Sequence, residues 1–186
     1  SKSMVSEESG LNHALEKVGI QSIETDLGEY IVQLAKEPPS HLIAPAIHKS
    51  KEDVAELFQQ HHNLTYTLDI PALTKEARQI LRPHFLSADM GISGGNFLIV
   101  ETGSVALVTN EGNGRMVTTV PKIHVAITGI EKVLPTLDDF STIMRLLPRS
   151  ATGQAISNYV TVLTGTKGKD DIDGPEQSHV ILVDSG

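Results

Sequence analysis

Ala88-Asp-Met-Gly-Ile-Ser-Gly-Gly-Asn-Phe-Leu-Ile-Val-Glu-Thr-Gly-Ser-Val-Ala-Leu-Val-Thr-Asn-Glu-Gly-Asn-Gly-Arg115 is the stretch on which the fold of this chain turns. It reads as a glycine-rich loop (Gly91, Gly94, Gly95), an apolar strand from Phe97 to Val100, a polar break at Glu101-Thr102-Gly103-Ser104, a second strand from Val105 to Thr109, and a turn ending in Asn113-Gly114. Short apolar runs bounded by turn residues are the signature of buried strands, and the two runs predict an antiparallel hairpin. Arg115 to Val120 would then return as a third strand through the Asn-Gly turn. Glycines let the backbone adopt positive φ and approach a ligand closely, and consecutive backbone N–H groups in such turns form concave anion sites. The candidate site is therefore placed here.

Upstream, Leu11, Ala14, Leu15 and Val18 repeat at helical spacing behind Ser6-Glu7-Glu8-Ser9, with Gly19 as a stop. Ile20 to Thr25 and His41 to Ala44 read as short strands. A helix is predicted from Asp26-Leu27-Gly28-Glu29 to about Ala35, closed off by Pro38-Pro39. Ser50-Lys-Glu-Asp53 resembles a capping box for a helix with Val54, Leu57 and Phe58 on its apolar face, ending at a solvated His61-His62. Thr74 is the expected cap of a third helix, bent at Pro83.

Downstream, His124-Val-Ala-Ile-Thr128 predicts a central strand. Thr136-Leu-Asp-Asp139 caps a helix that should end near Pro148, and Tyr159 to Leu163 and His179 to Val183 are further strands around a polar loop from Gly165 to Gly174. Helices alternating with strands imply an α/β fold with a mixed, mostly parallel sheet. No interdomain linker is visible, so residues 1–186 are expected to form a single domain, cut at both ends.

The chain has 186 residues, 39% of them apolar and 20% charged, which suits a globular domain with a real core. A net charge of −8 argues against nucleic acid, whose phosphates need a basic face. No apolar run approaches the roughly eighteen residues of a membrane span, and no signal peptide is apparent, so a cytoplasmic location is expected. There is no cysteine, hence no disulfide and no thiolate-bound zinc or iron–sulfur cluster within these residues. His41 and His48 lack metal-ligand spacing, and Asp170-Asp-Ile-Asp173 lacks the glycine and terminal glutamate of a calcium loop. No metal is expected.

Each candidate competes with a plainer reading. Gly91-Ile-Ser93-Gly94-Gly95-Asn96 has neither the spacing nor the position of a dinucleotide fingerprint, and a tight turn would explain it. Glu101, Thr102, Gly103 and Ser104 could face a pocket or form a bulge. Asn113 and Arg115 could be a turn with a spare cation, and Arg149, Ser150 and Thr152 a turn after a helix, although either guanidinium could hold a carboxylate. His124 is the best of eight histidines for acid–base work, against the favoured plainer reading of a hydrogen-bonded structural residue.

Several separate segments, taken together and in order, resemble the LUD domain family. They are residues 2–8 (Lys-Ser-Met-Val-Ser-Glu-Glu), 24–30 (Glu-Thr-Asp-Leu-Gly-Glu-Tyr), 39–49 (Pro-Ser-His-Leu-Ile-Ala-Pro-Ala-Ile-His-Lys), 88–97, 101–104, 110–115 and 149–154. Within the family the likeness is to the iron–sulfur-protein subunit of bacterial lactate-utilization systems. The resemblance implies a three-layer α/β/α fold of the sugar-phosphate isomerase and CoA-transferase group. It implies a part in oxidising L-lactate to pyruvate with partner subunits, electrons leaving through [4Fe–4S] clusters held by a cysteine-rich segment that these residues do not include.

On that reading Gly91, Ser93, Gly94, Gly95, Asn96, Thr102, Gly103, Ser104, Asn113, Arg115, Arg149, Ser150 and Thr152 would bind a small carboxylate. Glu101 or His124 would be the base for its 2-hydroxyl, and these residues alone would bind without turning over. The alternatives are an independent CoA transferase with Glu101 as nucleophile, a sugar-phosphate isomerase, or a non-catalytic assembly domain.

Overall fold

The computed structural model describes residues 1–41, 44–109, 111–157 and 159–184. It divides into two compact units, one formed by Ser1 with Leu15–Ala88 and the other by Lys2–Ala14 with the chain from Asp89 onward.

In chain order the first helices are α1 (Met4–Glu8) and α2 (Leu11–Lys17). The helix expected over the Leu11–Val18 stripe is α2, followed by Gly19 at a φ of 80°, and the short helix α1 precedes it across Gly10, whose φ of 69° is left-handed. The first unit is built on α3 (Leu27–Ala35), α4 (Lys51–His62) and α5 (Ile70–Ser87), with α3 against α4 and α4 against α5. Asp26 caps α3 through the Gly28 N–H, and the Ser50–Asp53 capping box opens α4 as expected. The apolar stripes supply the buried residues Tyr30, Ile31, Val32, Phe58, Leu73 and Leu81.

Three expectations change in this unit. Ile20 to Thr25 forms no strand, because the Glu24 N–H donates to the Gln33 side chain, whose amide donates to the Ser22 carbonyl, in place of a ladder. Asp69, not Thr74, caps α5, with a proline in the first turn, and the helix runs on through Pro83. His62 is not a solvated end: its Nε2 lies 2.8 Å from the Tyr30 hydroxyl and its ring packs on Phe58. The strand expected over His41–Ala44 rests on Leu42 and Ile43, which lie outside the described residues.

The second unit adds β1 (Met90–Ser93), β2 (Phe97–Ile99), β3 (Ser104–Val108), α6 (Asn113–Thr119), β4 (Ile123–Gly129), a 3₁₀ turn (Ile130–Lys132), β5 (Val133–Leu134), α7 (Leu137–Thr152), β6 (Val160–Thr164) and β7 (Gln177–Val183). The α/β class with predominantly parallel pairing holds. The strands form two sheets: an all-parallel one, β1-β4-β7, and a mixed one, β5-β2-β3-β6. The hairpin β2/β3 is antiparallel as expected, and His124–Thr128, buried throughout, lies on the central strand β4.

Residues 90–93 form a strand rather than a loop. The segment expected as a third hairpin strand is the helix α6. Gly114, Val117 and Thr118 are its buried residues, a spacing of three and four that belongs to a helix and overrides the β-branched composition. Pro148 does not end α7, since proline removes one hydrogen bond, and the stop comes at Gly153 in the left-handed conformation. Arg149, Ser150 and Thr152 thus sit in the last helical turn.

Gly91 lets α6 press on β1. A β-carbon there would overlap the Val117 carbonyl oxygen, a backbone atom that cannot move aside. Gly91→Ala should therefore cost about 3 kcal/mol or more of folding stability, measured by urea unfolding. A loss under about 1 kcal/mol would show that α6 is not seated on the strand.

Candidate functional site

The parallel register puts Gly91 beside His124 and His124 beside Ser178, so these residues share one face of the three-stranded sheet, with Ser93 and Ala126 one step along. That is the face α6 approaches. Next to it opens a hollow of about 190 Å³ lined by Thr118 and Thr119 of α6, His124 of β4, Thr164 of β6, and Lys167 and Asp173 of the loop between β6 and β7. The loop closes on itself: the Lys167 N–H donates to the Pro175 carbonyl and the Gly174 N–H to the Thr119 carbonyl. Gly174, with φ of 120°, lies so close to Lys167 that an added β-carbon would sit 3.1 Å from the lysine Cβ. The Lys167 ammonium is half-exposed and 3.8 Å from Glu176.

His124 is 2% exposed, and its Nε2 lies 2.8 Å from the Ser93 hydroxyl. Burial pushes its pKa down to about 4, so the imidazole is neutral near pH 7 and able to accept a proton. Thr164 is joined to the hairpin turn by hydroxyls: Thr164 Oγ1 to Ser104 Oγ, and Ser104 Oγ to Thr102 Oγ1, each at 2.7 Å. Of the residues singled out in the sequence, then, His124 lines the hollow, while Ser93, Ser104 and Thr102 reach it through hydroxyl contacts.

The others lie elsewhere. Glu101 is exposed, and its Oε2 accepts the Leu137 N–H at 2.9 Å, a favourable place for an acid at the start of α7. Gly103, at φ 65°, makes the β2–β3 turn. Gly94 donates its N–H to the Lys2 carbonyl, and the Asn96 N–H goes to the Ala106 carbonyl, so these amides serve the chain itself. Gly95 packs under Val105 and Thr128, and the Asn96 side chain accepts the Val108 N–H. The Arg115 guanidinium lies over the Tyr159 ring, 5.4 Å from its centroid. Asn113 donates to Glu111, Thr152 Oγ1 to the Pro148 carbonyl, and Arg149 and Ser150 are exposed on α7.

Lys167, Thr118 and Thr119 escaped the sequence reading, and Asp173 was weighed there only as part of a calcium loop. Lys167 was visible only as part of a polar loop, and the two threonines were assigned to a strand. Among the described residues no helix is long and apolar enough to cross a membrane, and no three His, Asp or Glu side chains are grouped to hold a metal ion.

An unfolded histidine titrates near pH 6.5, above the value in the fold. The neutral form is the one the fold accommodates, so the associated stability is complete above about pH 6.5 and is lost as pH falls towards 4. Between pH 7 and 4.5 the protein should lose about 2–3 kcal/mol more stability than its His124→Gln variant, by denaturant unfolding. Equal losses would show that His124 is not held neutral by burial.

The chain was compared with known proteins. It is 49% identical over 187 aligned positions to lactate utilization protein B of Bacillus subtilis, and 48% identical to that of Geobacillus kaustophilus. Both alignments take in the whole of this chain and 39% of the relative, so the chain spans about two fifths of the length of the curated relatives it matches. A solved structure of a DUF162 family protein from Deinococcus radiodurans aligns with 54% of this chain and 57% of its own, at 22% identity and a TM-score of 0.42. The family model for the LUD domain matches residues 3–183, and the chain belongs to that family.

Proposed function

We propose that this domain serves lactate utilization, as the part of a longer protein that receives a small 2-hydroxy carboxylate. The observation that carries the reading is the 49% identity, along the whole chain, to proteins named for lactate utilization. The hollow supports it chemically. A 2-hydroxy acid needs a cation for its carboxylate and a base for its hydroxyl. Lys167 supplies the first, Thr118, Thr119 and Thr164 add polar contacts, and neutral His124 supplies the second.

In L-lactate oxidation the hydroxyl proton would pass to His124. The hydrogen on the carbon bearing that hydroxyl would leave with its two electrons, giving pyruvate, and go to a hydride-accepting cofactor outside this chain, which would pass the electrons on singly. The resemblance points to [4Fe–4S] clusters as electron carriers, but these residues do not fit one: there is no cysteine, and the described residues offer no alternative ligand group. The clusters are assigned to the remainder of the longer protein, which would work in the cytoplasm with partner subunits.

The test is lactate-dependent reduction by the full-length protein with its partners. His124→Gln should lower kcat about a hundredfold, within the range for loss of a general base. Lys167→Ala should raise KM about tenfold with a smaller effect on kcat. A folded His124→Gln protein that turns over lactate at the wild-type rate would end the proposal.

A further inference from the structure

The Ser93 hydroxyl has one proton and two neighbours able to take it. Its Oγ is 2.9 Å from the Gly94 carbonyl oxygen and 2.8 Å from His124 Nε2. If the proton goes to the imidazole, the carbonyl loses this donor, and the ring must carry its own proton on Nδ1. No hydrogen bond involves Nδ1 among the described residues, so that arrangement makes one bond and leaves the Nδ1–H with no protein acceptor. If the proton goes to Gly94, Nε2–H donates to Ser93 Oγ, both contacts are bonds, and Nδ1 keeps only a lone pair. Two bonds within the protein outweigh one.

We propose that Ser93 is a positioning residue: by donating to the Gly94 carbonyl it obliges His124 to hold its proton on Nε2, which leaves Nδ1 as the open basic nitrogen of the hollow. Ser93 therefore does not bind ligand. It acts through the histidine, much as a second hydrogen-bond partner fixes which nitrogen of a histidine is available elsewhere. The fold secures the arrangement from both sides. Ser93 is the last residue of β1 and His124 lies on β4, two positions apart in a parallel register, and the backbone at Ser93 is bridged in turn by Lys2. Ser93 itself is only 1% exposed, so water does not compete for its hydroxyl.

The base assignment rests on the functional reading above, whereas the proton position does not, and one experiment separates them. Full-length protein labelled with ¹⁵N-histidine gives the state of each ring nitrogen of His124 near pH 7 from two-bond nitrogen–proton correlations. The expected result is a protonated Nε2 and an unprotonated Nδ1, with Ser93→Ala moving the ring to a mixture of the two forms and Ser93→Thr restoring the single form. In turnover, Ser93→Ala should lower kcat about tenfold with KM within about twofold, and Ser93→Thr should recover most of it. A proton found on Nδ1, or an unchanged proton position in folded Ser93→Ala, would overturn the proposal. Because the spectrum needs no substrate, a His124→Gln protein that turns over lactate at the wild-type rate would remove the functional reading and leave the proton position standing.

Discussion

The seating of α6 on β1 at Gly91 is the constraint on which the rest of the second unit depends. The absent side chain lets a helix carbonyl rest directly on a strand, closer than any other residue would allow. That contact carries Thr118 and Thr119 to the hollow beside His124. The glycines of the central motif therefore act mainly through close packing: Gly91 under α6 and Gly95 under Val105 and Thr128. The expected cradle of free amides is instead committed to the chain's own carbonyls.

The sequence was most legible where one physical signal dominated. The capping boxes at Ser50 and Thr136, the β2–β3 hairpin and the buried central strand at His124–Thr128 each rest on short-range chemistry or a plain apolar run. It misled where tertiary packing outweighed local preference. Residues 115–120 have strand composition and follow an Asn-Gly pair, yet they are helical because a helix alone brings Gly114, Val117 and Thr118 to one buried side. Pro148 looked like a terminator, but a single lost hydrogen bond is a weak obstacle when a glycine five residues on provides a proper stop.

The site was half legible for the same reason. His124 stood out as a titratable group inside an apolar run, and burial accounts for its depressed pKa. Which cation would stand near it could not be read, since Lys167 reaches the hollow only through the return of the 165–175 loop and the pairing of β6 with β3. Arg115 and Arg149 looked better suited as carboxylate forks, but one stacks on Tyr159 and the other ends a helix.

The ion pair at the rim of the hollow bears on which anions it would welcome. A single ammonium, Lys167, stands with Asp173 in the lining and Glu176 at its side, so the local formal charge is already negative before any guest arrives. A monoanion would compete with Glu176, 3.8 Å away, for that ammonium. A dianion would bring a second charge with no partner against the same two acids, and would be repelled more strongly. Selectivity between simple hydroxy acids and dicarboxylates or phosphate esters would then follow from counting charges, before shape is considered.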